Sequence, residues 1–253
     1  MAHPFVLYTA KRRFGLGEHL ITILIYLLMI GFAVILGNGA VYFFNRIPGA
    51  WLCDYGEVPD EELMHPTCQR VKSSPWKYLF TGLFIVIGLW VGQREPLYAI
   101  AVMLCLWLML EMSIADIKYR IVPDQLIMML VVTGMGFIPY HERGPLEGFW
   151  GAAAGGAIML AMWLLGKILY RKEAIGGGDI KLFGALGLCL GIEGILTTFV
   201  ITTLFSTVHF CYLLAKKRIK MGQSMPLVPY ISAAATFYMV ILREMSYNIM
   251  VNL

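Results

Sequence analysis

Charge is what this sequence has least of: only 14% of its 253 residues are Asp, Glu, Lys or Arg, while 59% are hydrophobic and the mean hydropathy is +0.72. An ordinary soluble domain carries about 25% charged residues, so that class is excluded and a polytopic membrane protein is left. Cysteine and histidine are sparse as well, five of each. Cys105, Cys189 and Cys211 lie in apolar runs, where a small hydrophobe is explanation enough. Cys53 and Cys68 sit fifteen residues apart in the one sizeable polar loop, about 46–77. Even with His65 they fall short of the four ligands of tetrahedral zinc, so the loop reads as an exposed linker and no metal is expected. The histidines show no metal-ligand spacing, which excludes a zinc or haem enzyme built on them.

Uncharged runs cover 19–45, 78–93, 96–110, 125–141, 148–166, 182–192, 194–215 and 221–242. An all-α bundle of about eight transmembrane helices follows, although 182–192 is too short to cross unless it begins or ends inside the membrane. Lys11, Arg12 and Arg13 precede the first run as in a signal peptide, but that run is too long for an h-region and reads as a retained span. With the N-terminus outside, 14 of the 20 Lys and Arg residues fall in inner loops, and the segments 112–124 and 167–181 face the cytoplasm. The chain divides into residues 1–77, a first helix with a reduced cytoplasmic loop, and 78–253, a membrane-embedded core.

Two carboxylates break the apolar pattern. Asp179 follows three glycines in Ala174-Ile175-Gly176-Gly177-Gly178-Asp179-Ile180-Lys181, a run unsuited to a helix interior and fitted to a bend or a close backbone approach. Taken alone, Asp179 could be a plain N-cap. Asp116, in Asp116-Ile117-Lys118-Tyr119-Arg120-Ile121-Val122-Pro123-Asp124, sits about 30 Å along a helix counted from Pro96, at the inner edge of the hydrocarbon. An ionisable group at that depth is a functional candidate. Asp124, after a proline, reads as an N-cap. Pro226 and Pro229 are expected to break the start of the last span at the same membrane face. Two carboxylates in a poorly solvated site cannot both ionise and share a proton, the arrangement of an aspartic protease dyad.

At these residues the chain resembles the bacterial type IV prepilin peptidases. Gly176-Gly177-Gly178-Asp179 with Lys181 fits the family's G-x-G-D pattern, Asp116 to Asp124 fits its first Asp segment, and Asn45-Arg46-Ile47-Pro48 and Pro226 to Pro229 are similar to weaker family features. The resemblance implies that Asp116 and Asp179 are catalytic, supported by Gly176, Gly178, Lys181 and Asp124. It implies proteolysis without a cofactor at the cytoplasmic face of the bacterial inner membrane. Its expected partners are prepilins or pseudopilins with short basic leaders and the lipid bilayer, with no nucleic acid. For many members it also implies N-methylation from S-adenosylmethionine, with a loop bearing two Cys-x-x-Cys pairs that this sequence lacks. The competing class is a transporter or channel using the two Asp residues as a cation or proton site.

Overall fold

A computed structural model of the chain describes residues 16–53, 59, 63, 69–170, 176–219 and 225–243, and over these it is helical. Seven helices follow one another: α1 Leu16–Arg46, α2 Trp76–Gly92, α3 Pro96–Tyr119, α4 Asp124–Met135, α5 Glu147–Tyr170, α6 Gly177–Ala215 and α7 Val228–Phe237, the last running into a π turn, Tyr238–Leu242. Among the described residues four helices are long and apolar enough to cross a membrane, within α1, α3, α5 and α6, and the others are shorter apolar pieces. Large apolar side chains such as Leu28, Val86, Trp150 and Ile168 stand exposed around the outside, as a lipid-facing surface requires.

α6 is two segments joined at Gly191, whose φ of 69° and ψ of −177° interrupt the helix. That φ lies in the left-handed region, where a side chain is strained, and a Cβ there would also meet the Glu147 carboxyl at 3.0 Å. The run 182–192 is short because charges at Lys181 and Glu193 bound it: the first half of α6 begins at the glycine cap and ends at Gly191, beside Glu147 and the exposed Arg143–Glu193 pair. His141 Nε2 lies 3.0 Å from the Leu188 carbonyl at the broken end, satisfying one acceptor that the interruption leaves free. α5 lies along α6 because Gly151 and Gly187 face each other, and a Cβ on either would collide with the other's backbone. Gly184 faces the Ala152 carbonyl of α5, where an added Cβ would stand at an ordinary 3.8 Å.

The run 125–141 does not become one span. α4 stops at Met135, with Gly136 after it, and a separate 3-10 turn covers Ile138–Tyr140. Twelve residues of α-helix rise only about 18 Å, less than the hydrocarbon thickness. A short polar turn, Gln93-Arg94-Glu95, joins α2, which ends at Gly92, to α3, which opens on Pro96.

The two ends of the bundle differ in chemistry. One holds Arg46, Arg70, Lys118 and Lys181 together with both Asp residues. At the other, Arg243 stacks 3.8 Å over the Tyr98 ring and lies 3.7 Å from Glu95, and Arg143 pairs with Glu193 at 3.2 Å. α1 joins the shared core through Met29, Ala33 and Leu36. Its inner end is clasped to the returning loop: Asn45 Nδ2 donates to the Val71 carbonyl at 3.0 Å, and Val71 N–H donates to Asn45 Oδ1 at 2.8 Å. Only a side chain with both donor and acceptor can close that pair.

Candidate active site

Asp116 occupies the last turn of α3 and is 7% exposed. α3 ends there because Arg120 turns into the left-handed region at φ 59° and its N–H caps the Asp116 carbonyl at 3.0 Å. Ile121 to Pro123 then reverse the chain into α4. Pro123 takes the cap position of α4 without a side-chain cap bond, so Asp124 is not the N-cap expected of it but the first helical residue. Its carboxylate is bonded by Lys181 Nζ at 2.9 and 2.8 Å, an exposed ion pair between the starts of α4 and α6.

The glycines also differ from the bend expected of them. Gly176, extended at φ −71° and ψ 147°, is the cap of α6, Gly177 and Gly178 are its first helical residues, and Asp179 is in the first turn. The N-cap reading of Asp179 is therefore displaced by three residues. Asp179 N–H bonds the Gly176 carbonyl at 3.1 Å, and the Asp179 carboxylate reaches back to the Gly176 N–H. A carboxylate in the first turn that returns to the cap amide suits the helix N-terminus.

The two motifs interlock through three contacts. Gly178 lies against Val122, where an added Cβ would stand 3.0 Å from the Val122 Cβ. Lys181 holds Asp124, and the Asp116 and Asp179 carboxyls come close enough to act on each other electrostatically. One helix start is thereby docked into the turn between α3 and α4. Asp179 is half-buried, so the pair has one sheltered and one more accessible member. Arg120 adds a positive charge within reach of Asp116. Two such carboxyls can hold one proton between them, with one polarising a carbonyl oxygen while the other takes a proton from water.

A third element completes the site, one that side-chain patterns do not reveal. The prolines at 226 and 229 delay α7 until Val228, as expected, and the freed Val228 N–H donates to Asp116 Oδ2 at 2.9 Å. The prolines were the readable signal; the Val228 amide, left without a helical partner because Val228 opens the helix, was not. Arg70, counted in the sequence as one charge among the inner loops, is instead buried: its guanidinium donates to the Phe44, Ile47 and Leu63 carbonyls at 3.3, 2.5 and 3.2 Å. Lys118 donates to the Arg70 carbonyl, tying the loop to the end of α3.

Cys68 and His65 lie outside the described residues, and Cys53 follows the short turn Gly49–Trp51, its thiol 3.6 Å from the Ala50 carbonyl. Among the described residues no group of three or more His, Cys, Asp and Glu could hold a metal. Asn45 at the end of α1 and Arg70 in the described part of this loop are both spent on backbone groups.

Residues 102–211 match the model of the type IV leader peptidase family, a stretch that contains both Asp residues. Curated relatives named prepilin leader peptidase/N-methyltransferase are also similar to the chain. The one from Xanthomonas campestris pv. campestris is 31% identical over 63% of this chain and 56% of its own. That from Stutzerimonas stutzeri is 28% identical over 53% and 47%, and that from Dickeya chrysanthemi 28% over 66% and 60%. The chain thus spans about half the length of the curated relatives it matches. No solved structure matches it. The matched region covers the interlocked segments, so what residues 102–211 are similar to is the type IV leader peptidase family.

Proposed function

We propose that this protein is a membrane aspartic endopeptidase that removes the basic leader from type IV prepilins or type II secretion pseudopilins at the cytoplasmic face of the bacterial inner membrane. Asp116 and Asp179 are its catalytic pair, with Gly176, Gly178, Lys181 and Asp124 supporting them. The observation that carries this reading is the interlock of Val122 with Gly178 and Asp124 with Lys181, which brings two carboxyls from separate helices into electrostatic contact. One carboxylate takes a proton from water as the oxygen attacks the scissile carbonyl; the protonated partner donates to the carbonyl oxygen. Collapse of the tetrahedral intermediate then expels the amine, which leaves with a proton returned by the pair. A shared proton belongs to the pair, and the two roles exchange through the cycle.

Residues 78–253 form the peptidase core in this reading, and 1–77 supply the first helix and the loop clasped to it. The names of the relatives also include N-methyltransferase, and no step here depends on that activity. Expression with a prepilin in a bacterium lacking its own leader peptidase tests the activity: the processed pilin should run faster on a gel. Processing should persist with both Cys53 and Cys68 replaced by Ser, because the dyad needs no metal. A prepilin left at full length by the wild-type protein contradicts the proposal.

A further inference from the structure

We propose that Ser232, together with Ser113, is a positioning residue that holds α7 in register so that the Val228 amide stays on Asp116; this rests on Asp116 belonging to the catalytic pair. Ser113 lies one turn before Asp116 on α3, and Ser232 one turn after Val228 on α7. A serine in an apolar helix ordinarily satisfies itself by bonding the carbonyl four residues back. Both do so, Ser113 Oγ with the Met109 carbonyl at 2.7 Å and Ser232 Oγ with the Val228 carbonyl at 2.9 Å. Neither therefore needs the other. Yet the two hydroxyls lie 2.6 Å apart, and Ser232 Oγ is also 3.1 Å from the Met109 carbonyl across the interface. Two hydroxyl protons are shared among four contacts, so this crossing is bonded in every arrangement of the protons that uses the Ser–Ser contact.

Met112 on α3 and Ile231 and Ala235 on α7 are fully buried and apolar. Such contacts resist separation but tolerate sliding. Hydrogen bonds are directional and fix both the height and the rotation of α7 against α3. What they fix is the amide at the start of α7: its donor has no partner within the helix, and it reaches Asp116 Oδ2 at 2.9 Å. A shift of about 1 Å exceeds the tolerance of that bond, and a misplacement of that size at a reacting group lowers a rate by up to about 100-fold.

Ser232→Ala and Ser232→Thr in the full-length, membrane-reconstituted protein test this, with kcat and KM for a purified prepilin as one readout. The other is the amide signal of Val228 in protein carrying 15N-valine, identified by its loss in Val228→Ile. Ser232→Ala should lower kcat about 10-fold or more, leave KM within about twofold, and shift the Val228 signal in the direction produced by Asp116→Asn. Ser232→Thr, which keeps the hydroxyl, should restore both. An unchanged kcat and amide signal in Ser232→Ala, a change confined to KM, or failure of Thr to restore either quantity would overturn the assignment. A wild-type protein that cleaves no prepilin, but whose Val228 signal moves in Ser232→Ala and returns in Ser232→Thr, would refute the peptidase reading while leaving the positioning of Asp116 intact.

Discussion

At the scale of single residues, the site depends on a side chain that is missing. Gly178 meets Val122 so closely that a Cβ must displace it, whereas Gly177 beside it has open space where a Cβ would go. Gly178→Val should therefore push the start of α6 away from the turn after α3 and reduce prepilin cleavage about 100-fold, with normal accumulation in the membrane. Gly177→Ala should cleave at the wild-type rate, and equal losses in the two variants would show that the glycines serve only the loop. The two Asp residues were legible in the sequence because isolated carboxylates in a chain this apolar have few structural uses. Val228 was not, since its contribution is a backbone N–H that any residue but proline carries. Arg70 showed only its charge in the sequence, because two of the carbonyls that enclose it, those of Phe44 and Ile47, lie 26 and 23 residues away.

At the scale of elements, the sequence located apolar runs better than it located helix ends. Charges bound a run, whereas backbone geometry ends a helix, so 125–141 was continuous by charge and divided at Gly136 in space. The run 182–192 looked too short to cross because Lys181 and Glu193 bound it by charge, whereas the helix itself starts at Gly177 and breaks at Gly191, beside the exposed Glu193. A left-handed conformation costs a non-glycine residue about 1–2 kcal/mol, and the Glu147 carboxyl adds crowding at this position. Gly191→Ala should lower the thermal midpoint of the detergent-solubilised protein. Gly187→Leu should lower it further, because no side-chain adjustment relieves a collision with the backbone at Gly151. Equal midpoints for wild type and both variants would contradict the close α5–α6 crossing.

Across the whole molecule, both Asp residues share one end of the bundle with Arg46, Arg70, Lys118 and Lys181, and the proposal that this end faces the cytoplasm rests on the distribution of basic residues. Single cysteines introduced at 118, 172 and 218 in a Cys-free background should react with an impermeant thiol reagent in inverted vesicles and stay unlabelled in intact cells. Position 172 lies outside the described residues and tests the loop before α6 independently. Labelling from the periplasmic side would reverse the orientation and remove the proposed cytoplasmic cleavage. The most direct measurement of the dyad itself is the cleavage rate of a purified prepilin by Asp116→Asn, Asp179→Asn and the double variant, with membrane insertion verified for each. Residues that act as a unit are not additive: each single change should abolish detectable cleavage and the double change should add nothing, whereas substantial cleavage by either single variant would contradict a catalytic pair.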